Sequence, residues 1–124
     1  PALFSTDIII RNVTADNIRD RLSEVDNTSD STHVKRLTLE DWTVGASGVG
    51  TANVAGILNF RLFRVEDLTL RRVRLEAIRT QTFHYAWYFE DVTGLTMTNC
   101  FQRGGQRGIS ATRVTGISGS IRIA

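Results

Sequence analysis

Val65-Glu66-Asp67-Leu68-Thr69-Leu70 has three gap-free counterparts in the 124-residue chain: Val34-Lys35-Arg36-Leu37-Thr38-Leu39, Val92-Thr93-Gly94-Leu95-Thr96-Met97 and Val114-Thr115-Gly116-Ile117-Ser118-Gly119. Ser5-Thr6-Asp7-Ile8-Ile9-Ile10 fits as a fifth, with its first position altered. The leading residues are 29, 31, 27 and 22 apart, the interval in which one coil of a solenoid fits with loops of varying length. Within each segment apolar and polar residues alternate, the period of a half-buried strand. Leu37 and Leu39, Leu68 and Leu70, and Leu95 and Met97 then share one interior, and Thr38, Thr69, Thr96 and Ser118 form a hydroxyl ladder outside.

Two further strands complete each unit. Val13, Trp42, Val73 and Cys100 make an inward column after the repeat. Asn12, Asp41, Arg72 and Asn99 fall at the corner between the two strands, where asparagine and aspartate tolerate turn geometry. Ahead of the repeat, Phe60 and Leu62, Trp87 and Phe89, and Ile109 and Ala111 alternate inward. The pattern predicts an all-β chain of one domain over residues 1–124: a single-stranded right-handed parallel β-helix of four to five coils, three short strands to a coil. Residues 15–33 are the ambiguous stretch. Ile18, Leu22 and Val25 recur at helical spacing and fit a short capping helix, while a third strand and loop fits equally. The opening at Pro1 and the ending Ser120-Ile121-Arg122-Ile123-Ala124, which stops mid-coil, read as a fragment of a longer helix or an end that docks on a partner.

Charges give an independent check on the register. At about 4.8 Å per rung, Asp7 meets Arg36 and then Asp67, Arg11 meets Glu40 and then Arg71, and Lys35 meets Glu66. Each neighbour is opposite in sign, as expected of cross-strand pairs. Net charge is only +2, but Lys35 stands alone against 14 arginines. Arginine's planar fork suits carboxylates and phosphates better than an ammonium does.

Composition excludes several classes. With 41% hydrophobic and 23% charged residues the chain is not a disordered one, and runs such as Ile8-Ile9-Ile10 are too short to span a bilayer. The single Cys100 has no disulfide partner, and His33 and His84 show no metal-ligand spacing, so neither metal nor cofactor is expected. The glycine-rich runs 45–50 and 103–108 match no phosphate-binding fingerprint and read as corners, although Arg103 and Arg107 are able to hold an anion. Asn12 and Asn27 open glycosylation-type triplets. Nucleic-acid binding ranks last, because no clustered basic face is visible.

The coils, notably Ile8-Ile9-Ile10-Arg11-Asn12-Val13-Thr14 and Leu95-Thr96-Met97-Thr98-Asn99-Cys100, resemble those of the pectin-lyase-like superfamily, which includes polysaccharide lyases, polygalacturonase-type hydrolases and bacteriophage tailspikes. The resemblance spans about Thr6 to Ser118 and is specific for fold. It implies an extracellular or virion-associated protein that binds, and in many relatives cleaves, an acidic surface polysaccharide, commonly as a homo-oligomer and most often a trimer. The catalytic motifs of the polygalacturonases are absent: Asp26-Asn27-Thr28-Ser29-Asp30 and Ile121-Arg122-Ile123 only echo them.

Candidate residues follow from chemistry. Hydrolysis of a glycosidic bond needs paired carboxylates, for which Glu40, Asp67 and Glu90 (with Glu66 and Asp91) lie on outward columns. A lyase needs a cation against the uronate, for which Arg36 and Arg71 are candidates. Tyr88 beside Arg61, and Phe63 beside Glu90, offer a platform for a sugar ring or an oligomer contact. The competing reading is a non-catalytic structural or oligomerisation segment of a fibre, favoured by charge ladders that satisfy themselves.

Overall fold

The alternation becomes strand along most of the described chain. In a computed structural model, residues 3–16, 23–24, 32–45, 58–78, 85–104 and 107–124 are described, the side chains of 3–5, 23–24, 32–33, 58–64, 77–78, 85 and 107 lying outside the description. The elements are β1 (Leu3–Ala15), β2 (Ser23–Glu24), β3 (Thr32–Val44), β4 (Leu58–Ile78), β5 (Tyr85–Gly104), β6 (Arg107–Thr112) and β7 (Ser118–Ile123). All pairing is parallel, in the order β1-β3-β4-β5-β6, with β2 beside β4 and β7 beside β5. Among the described residues there is no helix.

The register is the one the repeat alignment predicts. Ser5 pairs with Val34, Val34 with Val65, Val65 with Val92, and Thr93 with Thr115. Each strand therefore stacks on the next repeat in sequence. The ambiguous 15–33 stretch contributes strand at Ala15, Ser23–Glu24 and 32–33; Ile18, Leu22 and Val25 lie outside the described residues.

Long strands stay in register because they bend at the same positions. Nine non-glycine residues among those described have positive φ, a conformation only a few per cent of such residues adopt. They fall into columns set by the ladder. Asn12, Asp41, Arg72 and Asn99 form the predicted corner, at φ between 52° and 59°. Asp7, Arg36, Asp67, Gly94 and Gly116 form a second, and Asp91 and Arg113 belong to a third. Across β1, β3 and β4 the residues on either side of the first two bends keep their ladder partners, while irregularities fall between Arg61 and Val65 and between Met97 and Cys100.

The core sits in the middle repeats. Leu37, Leu39, Trp42 and Val44 of β3, Val65, Leu68, Leu70, Val73 and Leu75 of β4, and Trp87, Phe89, Val92, Leu95, Met97 and Cys100 of β5 pack into one cluster. Each fully buried aliphatic chain contributes roughly 2 kcal/mol. The Trp42 indole donates to the Ile10 carbonyl at 2.9 Å, tying the first repeat to the second. Inward positions at the two ends of the stack are open: Ile10 in β1, Ile109 in β6, Ile117 and Ile123 are exposed.

One predicted register is corrected. Counting back from the repeat valines places Phe60 on Trp87 and Arg61 on Tyr88. The structure pairs Phe60 with Phe89 and Arg61 with Glu90, so that Tyr88 stacks on Asn59 and Ser110. The cause is an irregularity between Arg61 and Val65, where β4 carries two more residues than β5 does between Glu90 and Val92.

Candidate functional site

An aspartate in a left-handed corner projects its carboxylate toward the rung above, and an arginine in the same corner one repeat later reaches back. Arg36 forks Asp7 through Nε at 2.5 Å and Nη2 at 3.0 Å. Arg72 forks Asp41 in the same way, its Nη2 contact at 3.1 Å, and also donates to Glu40 at 2.8 Å. Arg113 forks Asp91, with Nη2 at 2.9 Å from it and 2.6 Å from Glu90. Bidentate charge-assisted bonds of this kind are short and geometrically specific.

These ladders occupy most of the predicted catalytic candidates. Both oxygens of Glu40 are held, by Arg11 at 3.5 Å on one side and by Arg71 and Arg72 on the other, and its side chain is 12% exposed. Both oxygens of Glu90 are also held: Arg113 donates to one and the half-buried Tyr88 hydroxyl donates to the other at 3.1 Å. A general acid or base must exchange its proton with substrate, and the oxygens of both carboxylates already accept from arginine or tyrosine. Lys35 pairs with Glu66 at 3.2 Å. Asp67 is exposed, and the position above it is Gly94, where a Cβ would come 2.7 Å from its Oδ1. Arg36 and Arg71, the cations proposed for a lyase, are committed to Asp7 and Glu40. The side chains of Arg61 and Phe63, and the whole of His84, lie outside the described residues.

The corner forks set a pH dependence. Hydrogen bonds from Arg36, Arg72 and Arg113 hold the carboxyls of Asp7, Asp41 and Asp91 below the ordinary aspartate value. Groups depressed in the folded state stabilise it above their unfolded pKa of about 3.9. That contribution is lost as pH falls through the lower folded values. The urea midpoint is therefore expected to fall from pH 5 to pH 3, and the Asp7→Asn, Asp41→Asn, Asp91→Asn triple variant to show a flatter profile. An unchanged slope in the triple variant would rule the forks out as its source.

A different arrangement occupies the outward face after the Asn12/Asp41/Arg72/Asn99 corner. There Thr43, Arg74, Phe101 and Arg122 stack in register. Phe101 points away from the core column yet is only 3% exposed. Guanidiniums cover it: Arg74 from the rung below at 4.7 Å from the ring centre, Arg122 from the rung above at 5.0 Å, and Arg103 at 5.5 Å. Cation–ring contacts of this kind hold a cation in place without neutralising it.

Arg74 also meets Glu76 at 2.6 Å. Among the described residues, neither Arg103 nor Arg122 has a carboxylate partner, whereas Arg11, Arg36, Arg71, Arg72 and Arg113 all do. The face carries two adjoining cavities. One, of about 410 Å³, is lined by Asp41, Thr43, Arg72, Arg74 and Asn99. The other, of about 310 Å³, is lined by Arg74, Asn99, Cys100, Phe101 and Arg122. Both volumes lie toward the low end of small-ligand sites, about 300–1,000 Å³. Cys100 adds no nucleophile: it is buried, its thiol donates to the Leu70 carbonyl at 3.5 Å, and burial pushes its pKa up.

Sequence reasoning placed Arg103 in a loop and did not single out Phe101, Arg74 or Arg122. Arg103 is in β5. Part of the signal was present, because the inward column Val13, Trp42, Val73, Cys100 makes the following position outward and sets Phe101 on Arg74; the 22-residue spacing, however, puts Ile123 above Phe101, and Arg122 arrives there only through a one-residue shift between Met97 and Cys100. No family model matches the sequence, and neither the curated proteins nor the solved structures compared with it gave a match.

Proposed function

We propose that the chain is a right-handed parallel β-helix that binds an acidic polysaccharide on its outward arginine face, as an extracellular or virion-associated tailspike-like protein, and that it binds without cleaving. The helix reading is supported by consecutive parallel pairing at offsets of one repeat and by left-handed bends at shared ladder positions. One observation carries the functional reading: Arg74, Arg103 and Arg122 converge on Phe101 with Glu76 as their one carboxylate among the described residues, on a surface whose other described arginines each have a carboxylate partner. An anionic polymer relieves that concentration of charge, and the open groove admits it from the side. Binding without cleavage is supported by Glu40 and Glu90, whose oxygens are all engaged, which leaves exposed Asp67 without a second free carboxylate among these candidates. The closed ion ladders over the rest of the surface favour the structural reading, a stiff fibre segment in which a homotrimer or further domains cover the chain's ends.

The test is titration of a panel of acidic and neutral polysaccharides, with reducing ends and unsaturated uronate followed in the same samples. Acidic polymers are expected to bind and neutral ones not to, with affinity falling as salt rises and no new ends of either kind. Arg122→Ala is expected to weaken binding about tenfold, near 1.4 kcal/mol, and Arg36→Ala to leave it unchanged. Absence of binding to every acidic polymer would leave the structural segment as the better reading. Newly released ends would restore a catalytic one.

A further inference from the structure

The two cavities of this face differ in charge, and the difference bears on which glycan fits. The smaller is lined by Arg74, Arg122, Asn99, Phe101 and Cys100, with no carboxylate. The larger shares Arg74 and Asn99 with it but adds Asp41, Thr43 and Arg72. Asp41 is forked by Arg72, so that pair is close to neutral, yet each carboxylate oxygen keeps a second lone pair that accepts from a hydroxyl. The Thr43 hydroxyl and the Asn99 amide offer both donors and acceptors. One compartment is therefore built for an anion, and its neighbour for an uncharged, hydroxyl-rich group.

Resting on the reading that the face binds an acidic polysaccharide, we propose that its ligand alternates acidic and neutral sugars, the acid lying between Arg74 and Arg122 and the neutral ring beside Asp41. Asp41 is the specificity-determining residue. A second uronate placed in the larger cavity would find Arg72 already committed to Asp41 and would have to compete with that carboxylate for it, which disfavours that register. Two rungs of about 4.8 Å separate Arg74 from Arg122, so the acid site spans about 10 Å along the stack, and the neutral site adjoins it across the shared Arg74 and Asn99.

The experiment compares hyaluronan, which alternates a uronate with a neutral amino sugar, against the uronate homopolymer polygalacturonate, at equal uronate concentration and equal salt. Asp41→Asn is the variant: asparagine occupies the same left-handed corner at Asn12 and Asn99, and its oxygen still accepts from Arg72. Circular dichroism and the urea midpoint confirm its fold. The wild type is expected to prefer the alternating polymer about tenfold. Asp41→Asn is expected to raise homopolymer affinity several-fold while changing the alternating polymer less than about twofold. Equal affinities in the wild type, or an equal rise for both polymers in the variant, would overturn the alternation while leaving acidic-glycan binding intact. If neither polymer binds, nor any other acidic one, both proposals fall together.

Discussion

Trp87→Ala is expected to cost about 4 kcal/mol of unfolding free energy, at the upper end of what single core truncations do. Trp87 is fully buried in the middle of the stack, and its loss removes both transfer energy and packing on the neighbouring rungs. A second contribution is polar. Its indole Nε1 donates to the Gln102 amide oxygen at 2.9 Å, and Gln102, 1% exposed, passes the bond on through Nε2 to the Gly104 carbonyl at 2.9 Å. Trp87→Phe isolates that component: it keeps a ring in the core but withdraws the donor from a buried acceptor, at about 1–3 kcal/mol. Gln102 sits in an otherwise apolar column, between Leu75 below and Ile123 above. Adding Gln102→Leu to Trp87→Phe is therefore expected to recover most of the loss, since neither the indole nor its amide acceptor remains buried and unpaired and the exposed Gly104 carbonyl turns to water. Urea unfolding of the three variants measures each step. A Trp87→Ala penalty under about 1.5 kcal/mol would mean that this part of the core does not close as described.

What was legible in the sequence was whatever repeats. The valines and leucines of the repeat announced the stacking register, and the charge ladder Arg11–Glu40–Arg71 followed from it without adjustment. The corner at Asn12, Asp41, Arg72 and Asn99 was visible because its residue types suit a left-handed backbone. The second corner, at Asp7, Arg36, Asp67, Gly94 and Gly116, was passed over, although Val65 and Leu68 both face inward three residues apart and a flat strand cannot do that. Arginine hid it. Its left-handed cost is of the order of 1–2 kcal/mol, and nothing local advertises that the fork to the aspartate below offsets part of that strain. The slip before β5 came from two added residues in β4, which leave no trace in an alternation pattern. Gln102 was invisible for a related reason: a polar residue in an inward column reads as an error in the pattern until its partner across the interior is known.

The site followed the same division. Carboxylates were sought as catalytic pairs on outward columns, whereas the ladder uses them as acceptors: Glu90-Asp91 seats Arg113, and Glu40-Asp41 seats Arg72 with Arg71 also on Glu40. Glu66-Asp67 is the third such pair, and glycine stands above it in the next two repeats. Once those pairs are matched, the described arginines left without a carboxylate are Arg103 and Arg122. The proposed binding face is a remainder after structural pairing, and single-residue candidates do not reveal a remainder.

Gly119→Ala is expected to detach β7, with a local penalty of about 4 kcal/mol built from left-handed strain of about 1–2 and overpacking of about 1–3. Gly119 has φ of 87°, and a Cβ there would lie 2.8 Å from the Met97 carbonyl carbon and closer still to its oxygen. Those are backbone atoms of β5, the strand Gly119 pairs with, so no side-chain rotation relieves the overlap. Gly116→Ala is the control. Its Cβ would come 3.2 Å from the Gly94 Cα, a tight approach rather than an overlap, at a comparable φ of 63°. Amide exchange over Ser118–Ile123 is expected to lose its protection in Gly119→Ala and largely keep it in Gly116→Ala, while protection in β3 and β4 stays unchanged in both. The consequence reaches function because β7 carries Arg122. Gly119→Ala should therefore weaken acidic-glycan binding at least as much as Arg122→Ala does, though it alters no charged group. If β7 loses protection and binding persists at the wild-type level, Arg122 is not part of the site, and the anion must be held by Arg74 and Arg103 on β4 and β5 alone.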